Sequence, residues 1–189
     1  MKKKMGKYCH VYPVPTVLAG TIVNGRINFN TLGNCGIISM HPATIYISSY
    51  KKHFNNIGII QNGVFSVNFP SHKSAIKADY CGLVSGKNVD KSNVFDVFFG
   101  ESELAPMIVE CPVCLECKTI KHIEVGIMDI FIAEVIESYI DEDCIINDTP
   151  DIRLIDPMIY TMKDNYHQIG KRMEPQFSIG KQYKQGDSQ

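Results

Sequence analysis

Gly126-Ile127-Met128-Asp129-Ile130-Phe131-Ile132-Ala133-Glu134-Val135-Ile136-Glu137-Ser138-Tyr139-Ile140 is the stretch on which the fold class turns. Its length suits a helix of about four turns. Its composition does not. Ile127, Ile130, Phe131, Ile132, Val135 and Ile136 are β-branched or aromatic, types that lose rotamer freedom in a helix and pack well on a pleated sheet. The segment reads as one long strand.

Upstream the same signal recurs. Thr16 to Val23 is rich in β-branched residues, Asn24-Gly25 comes next, and Arg26-Ile27-Asn28-Phe29 alternates polar with apolar. Asn-Gly between two such runs predicts a hairpin, because both central turn residues need positive φ. Ala43 to Ser48 and Val64 to Phe69, the latter stopped by Pro70, are further strands. Two short helices are predicted, Asn55 to Gln61 before Asn62-Gly63, and Ser71 to Val84 with Ser71 as its cap. Many strands, few helices and no regular alternation between them point to a β-barrel with helical decorations, not a doubly wound sheet. The acidic run from Glu134 to Asp148 reads as a solvated loop in preference to a metal site. Residues 1–180 are expected to form one domain and 181–189 a polar tail.

With 189 residues the chain has the length of a single domain. Apolar residues at 44% and charged residues at 21% argue against disorder, collagen and coiled coil. Nineteen Lys and Arg against 20 Asp and Glu give a net charge of −1, so no bulk attraction to nucleic acid or anionic lipid is expected. No apolar run approaches the roughly 20 residues of a membrane-spanning helix. Met1-Lys2-Lys3-Lys4 has the charge of a secretory leader, but Pro13 and Pro15 interrupt the chain before an apolar stretch develops. Seven cysteines, an odd number without such a leader, suggest reduced thiols in the cytoplasm.

Several motifs fail on inspection. Cys111-Pro112-Val113-Cys114-Leu115-Glu116-Cys117 suggests iron–sulfur ligation, but the bacterial run would need cysteine where Lys121 stands. No second C-x₂-C pair completes a zinc site. If this segment is a strand, Cys111 and Cys117 share a face and Cys114 opposes them. Gly82 to Lys87 misses the phosphate loop at Cys81 and Asn88. None of the six histidines sits in a metalloprotease or hydrolase pattern. Two polar stretches remain. Asn28 to Gly36 is dense in amides and glycines, a loop able to present N–H groups to an anion or a heterocycle edge. Ser48 to Asn56 sets hydroxyls, Lys51, Lys52 and His53 just before a helix start, a seat for phosphate, although an exposed basic loop would share that composition.

The order of segments carries more. Tyr12-Pro13-Val14-Pro15-Thr16-Val17-Leu18, Asn30-Thr31 with Gly36, Ile47-Ser48 with Lys52-His53-Phe54, Gly63 to Pro70, Asp79-Tyr80-Cys81-Gly82, Ser85 to Lys91, Ala105 to Ile108, Glu110 to Cys117 and Asp129 to Val135 run nearly end to end. In that order the chain resembles the flavin reductase-like family, the FMN-binding split barrels that include the flavoredoxins. The F-x-V-N-x-P and S-G-[KR]-x-x-D-K pieces weigh most.

The resemblance implies a mainly β, Greek-key split barrel with a few short helices. It also implies a homodimer, with one non-covalent FMN per subunit near the interface. Carried over, Asn30, Thr31 and the turn through Gly33, Asn34, Cys35 and Gly36 would hold the flavin ring. Ser48, Lys51, Lys52, His53 and Asn55 would surround the ribityl phosphate. Cys81, Gly82 and Ser85 would approach the flavin, or else serve as helix cap and subunit packing. Two departures stand out: Asn55 where the family usually has Thr, and Ala133 where it usually has Gly. Because the flavin carries the chemistry, no catalytic side chain is expected. The implied activity is NAD(P)H-dependent reduction of flavin or a ferric chelate through bound FMN. The alternatives are a flavoredoxin-type carrier without direct NAD(P)H activity and a flavin- or haem-binding module without turnover.

Overall fold

The computed structural model of the protein describes residues 1–162, 165–173 and 175–183. Seven strands form one antiparallel sheet: β1 Val17–Val23, β2 Arg26–Leu32, β3 Cys35–Met40, β4 Ala43–Tyr50, β5 Val64–Phe69, β6 Val113–Val125 and β7 Met128–Ile140. Their spatial order is β2-β1-β5-β6-β7-β4-β3. The pairs β1–β2, β3–β4 and β6–β7 are hairpins, whereas β1–β5, β5–β6 and β4–β7 join strands far apart in sequence. Leu32 of β2 and Ile45 and Ile47 of β4 nevertheless share one core with Phe65 and Phe131. Strands near opposite ends of the sheet meet in this way only if the sheet curls into a barrel. The fold is mainly β with few short helices, as the composition of residues 126–140 predicts.

That segment begins with Gly126 at φ +56 in the turn from β6, and the strand starts at Met128. Phe131 and Ala133 point into the barrel while Ile130 and Ile132, alternating with them, are half-buried on the other face, the two-residue period of a strand. In β1, Val17 and Ala19 face the barrel and Leu18 faces a second core with Phe29, Ala78, Cys81, Met107 and Met158. Burial on both faces explains why β1 reads as an almost unbroken apolar run. Its hairpin to β2 turns at Asn24 (φ +51) and Gly25 (φ +76), the paired positive angles that Asn-Gly supplies.

Helix α1, Asn55–Asn62, ends where Gly63 turns left-handed at φ +68 and donates to the Ile59 carbonyl. It lies close on β1: a Cβ on Gly58 would stand 2.5 Å from the Ile22 carbonyl oxygen. Helix α2, Ala75–Leu83, closes the second core, and no helix among the described residues is long and apolar enough to cross a membrane. Beyond β7, Ile159–Tyr160 pairs with Val14–Pro15 and with Tyr166–His167, bringing the C-terminal part back to the start of β1.

Four expectations need correction. The acidic run from Glu134 to Asp148 is not one loop, because Glu134 and Glu137 belong to β7. Ser71 makes no side-chain cap; it lies extended, bridged to Pro157, and a 3₁₀ turn at His72–Ser74 leads into α2. Asn28 to Gly36 is not a loop, because β2 runs to Leu32 and only Gly33 and Asn34 separate it from β3. Cys111 precedes β6 and turns back, so it shares the second core with Cys114 while Cys117 faces the barrel. Of the expected tail, Gln182 ends an exposed 3₁₀ turn and residues 184–189 lie outside the described residues.

Candidate functional site

Strand β2 organises the site through its two faces. Phe29 and Thr31 face α2, where the Thr31 hydroxyl donates to the Ala78 carbonyl. Asn28 and Asn30 point the other way. The Asn28 amide donates to Asn55 Oδ1, and Asn30 Nδ2 lies 2.9 Å from His53 Nδ1. Ser49 Oγ is also 2.9 Å from that nitrogen. With Asn30 donating, the His53 proton belongs on Nε2, which has no hydrogen-bond partner among the described residues. Burial and the nearby Lys91 charge hold the imidazole below its usual range.

Three cavities surround these strands and share walls. One, of about 250 Å³, lies between Thr31–Asn34, Ser48, His53, Met128 and Tyr160. A second, about 230 Å³, lies between Thr16, Thr31–Gly33, Gly82, Tyr160 and Tyr166. The third, about 170 Å³, is polar and takes in Asn28, Asn30, Lys52, His53, Gly82–Gly86 and Lys91. His53 joins the first to the third, and Gly82 joins the second to the third. Among the described residues no Asp or Glu lines any of them. The larger cavity of about 560 Å³ between Ile146–Asp156 and Ile169–Arg172 shares no residue with this group.

Lys91 is the most telling of these residues. It is only 2% exposed, and Nζ donates to the carbonyls of Phe29 (2.9 Å) and Cys81 (2.7 Å). An ammonium has three N–H donors, so one is left over beside the polar cavity. No carboxylate pairs with Lys91 among the described residues, and burial pulls its pKa below the usual lysine range. Thr16 adds a second unsatisfied group: its hydroxyl is buried, lacks a hydrogen-bond partner and lines the second cavity. Close backbone approaches shape the walls. A Cβ on Gly86 would stand 2.0 Å from Asn28 Oδ1, and one on Gly82 would stand 3.2 Å from Thr31 Cβ.

Of the residues singled out in the sequence, Asn30, Thr31, Gly33, Asn34, Ser48, Lys52, His53, Asn55, Gly82 and Ser85 line these cavities. Asn55 does so while 1% exposed, its amide donating to the Ala19 carbonyl 2.7 Å away. The other four line none of the three. Lys51 pairs with Glu124 on the β6 side of the barrel. Cys35 packs against the barrel core, where burial pushes its thiol up to about 12. Gly36 lies against the Tyr46 ring, and Cys81 is fully buried in the second core, its thiol pushed up to about 11. Asn28 and Lys91, which the sequence reading placed only within longer stretches, join the lining as individual residues, and Tyr160 and Tyr166 are additions that sequence reasoning missed. Among the described residues no group of three His, Cys, Asp or Glu side chains is placed to hold a metal ion.

The model of the flavin reductase like domain matches residues 6–170. The chain belongs to the flavin reductase-like family. Among solved structures, a flavoredoxin from Methanosarcina acetivorans is 39% identical, with 96% of this chain and 98% of that one covered and a TM-score of 0.93. Flavoredoxin of Desulfovibrio vulgaris is 34% identical, covering 95% of this chain and 100% of that one at a TM-score of 0.87. An FMN-binding protein from Thermus thermophilus, at 21% identity, 93% and 97% coverage and a TM-score of 0.79, shares the fold. No curated protein sequence matches the chain. Membership makes this family protein a split barrel of the flavoprotein, oxidoreductase type.

Proposed function

We propose that this family member binds one FMN non-covalently in the three joined cavities and passes electrons through it. The observation that carries the reading is Lys91, a buried cation with a spare donor, beside Lys52 and His53 in a cavity where no described residue is acidic. Buried charge without a counter-charge is costly, and a phosphate monoester would supply one. The remaining donors also fit. The unpartnered Thr16 hydroxyl and the turn at Gly33-Asn34 offer hydrogen bonds to a heterocycle edge, and Leu32, Tyr160 and Tyr166 offer apolar walls to a planar ring.

When bound, flavin supplies hydride and single-electron transfer. This chain's side chains bind and orient it: Lys52, His53, Ser85 and Lys91 hold the phosphate end, and Asn30, Thr31 and Gly33 border the ring end. In this reading the reductant is NAD(P)H and the acceptor is free flavin or a ferric chelate. The 39% and 34% identity to two flavoredoxins favours a second reading, an electron carrier without direct NAD(P)H turnover. Anaerobic mixing of the FMN-loaded protein with NADH or NADPH tests the choice. Rapid bleaching of the flavin band supports the reductase, and an unchanged spectrum supports the carrier.

A homodimer is part of the proposal. Ile76, Tyr80 and Leu83 form an exposed apolar face on α2, and the edge strand β3 exposes Ile37, Ile38 and Met40. Such surface is the usual mark of an interface. The cytoplasm is proposed as the location, in keeping with seven unpaired cysteines.

A further inference from the structure

We propose that the polar cavity recognises a phosphate-type dianion together with one proton, which His53 takes up from solvent as the anion enters. This rests on the FMN reading for its natural ligand but makes a separate claim. Three basic groups, Lys52, His53 and Lys91, line a cavity with no acidic residue among the described residues, and without an anion the Lys91 charge disfavours charge on His53. The groups around His53 agree from every side. Lys91 approaches from the segment after α2, Lys52 is its neighbour, and the Tyr50 ring of β4 stands edge-on at 5.5 Å. Tyr8 and Tyr160 share its other cavity, which no carboxylate lines among the described residues.

The local hydrogen bonds allow both protonation states. Neutral His53 accepts from Asn30 Nδ2 at Nδ1. After protonation the Ser49 hydroxyl, 2.9 Å away, can accept the new Nδ1–H, and the Asn30 amide can turn its oxygen towards the ring. The balance is simple: one proton leaves water, one imidazole becomes imidazolium, and no other bond changes. A dianion beside His53 reverses the effect of Lys91, so in the window between the two imidazole pKa values binding is proton-coupled. His53 thereby becomes a specificity determinant for a phosphorylated over an unphosphorylated flavin.

Calorimetric titration of the full chain at pH 7.5, in two buffers of different ionisation heat, counts the protons. Free phosphate monoesters are almost fully ionised there, their second pKa being about 6. FMN should bind with uptake of about half a proton or more, and its affinity should fall towards tenfold per pH unit as pH rises. Riboflavin should bind without uptake, and His53→Gln should abolish the uptake seen with FMN. Should that variant fold poorly, the FMN–riboflavin difference in the unmodified protein still decides the matter. FMN binding without uptake, or uptake that persists in His53→Gln, would overturn the proposal. Inorganic phosphate separates the two readings. Proton-coupled phosphate binding without FMN binding keeps the coupling and removes the flavin reading, while binding of neither removes both.

Discussion

Lys91 is where a single side chain says most about this protein. Replacing it with Met leaves the carbonyls of Phe29 and Cys81 unpaired, a loss of about 1–3 kcal/mol in stability that urea unfolding will read. It should also weaken FMN at least tenfold while leaving riboflavin almost unchanged, because a charge-assisted hydrogen bond contributes about 1.5–3 kcal/mol. Lys52→Ala should cost less, since that ammonium is exposed and partly screened. Fluorescence titration of both flavins against both variants checks the ranking. In the sequence Lys91 closes the S-G-[KR]-x-x-D-K piece that carries the family resemblance, but nothing around it marks it as a buried cation. Its burial depends on backbone carbonyls, one of them 62 residues away, which no local pattern encodes. Lys51 fails in the opposite direction: its place beside Lys52 suggests the site, but Glu124, 73 residues on, draws it to the β6 side.

At the scale of elements, the β1–β2 hairpin and the long strand β7 follow from local chemistry, and β6 does not. Glu116 sits near its start, fully buried, accepting from the backbone N–H groups of Glu101 and Ser102 at 3.0 and 2.6 Å. A satisfied buried carboxylate breaks the apolar pattern by which strands are read. Strand β3 is hidden for another reason: as an edge strand it exposes Ile37, Ile38 and Met40, so no buried face gives it a period. The contact of α1 with β1 yields a test of packing. Gly58→Ala places a Cβ 2.5 Å from the Ile22 carbonyl and 2.8 Å from Thr21 Cγ2, which forces helix and strand apart. A stability loss of about 1–3 kcal/mol is expected in urea unfolding. An unchanged midpoint would mean that the two elements are not packed this closely.

Across the whole molecule, thiol chemistry separates surface from interior. Only Cys9 is exposed, and burial holds Cys35 and Cys114 up to about 12. Ellman's reagent should therefore titrate one thiol quickly in the native protein and all seven in denaturant. The near-zero net charge finds its place here too: the anion site needs only the local cations at Lys52, His53 and Lys91. Light scattering should report a dimer, and Leu83→Glu on the exposed face of α2 should shift it towards monomer; a wild-type monomer would remove that part of the proposal. The central claim, that the joined cavities form one FMN site, is tested most directly by titrating the purified, flavin-free protein with FMN and following quenching of flavin fluorescence. Saturable binding of one FMN per chain is predicted. A colourless protein that leaves FMN fluorescence unchanged would contradict it.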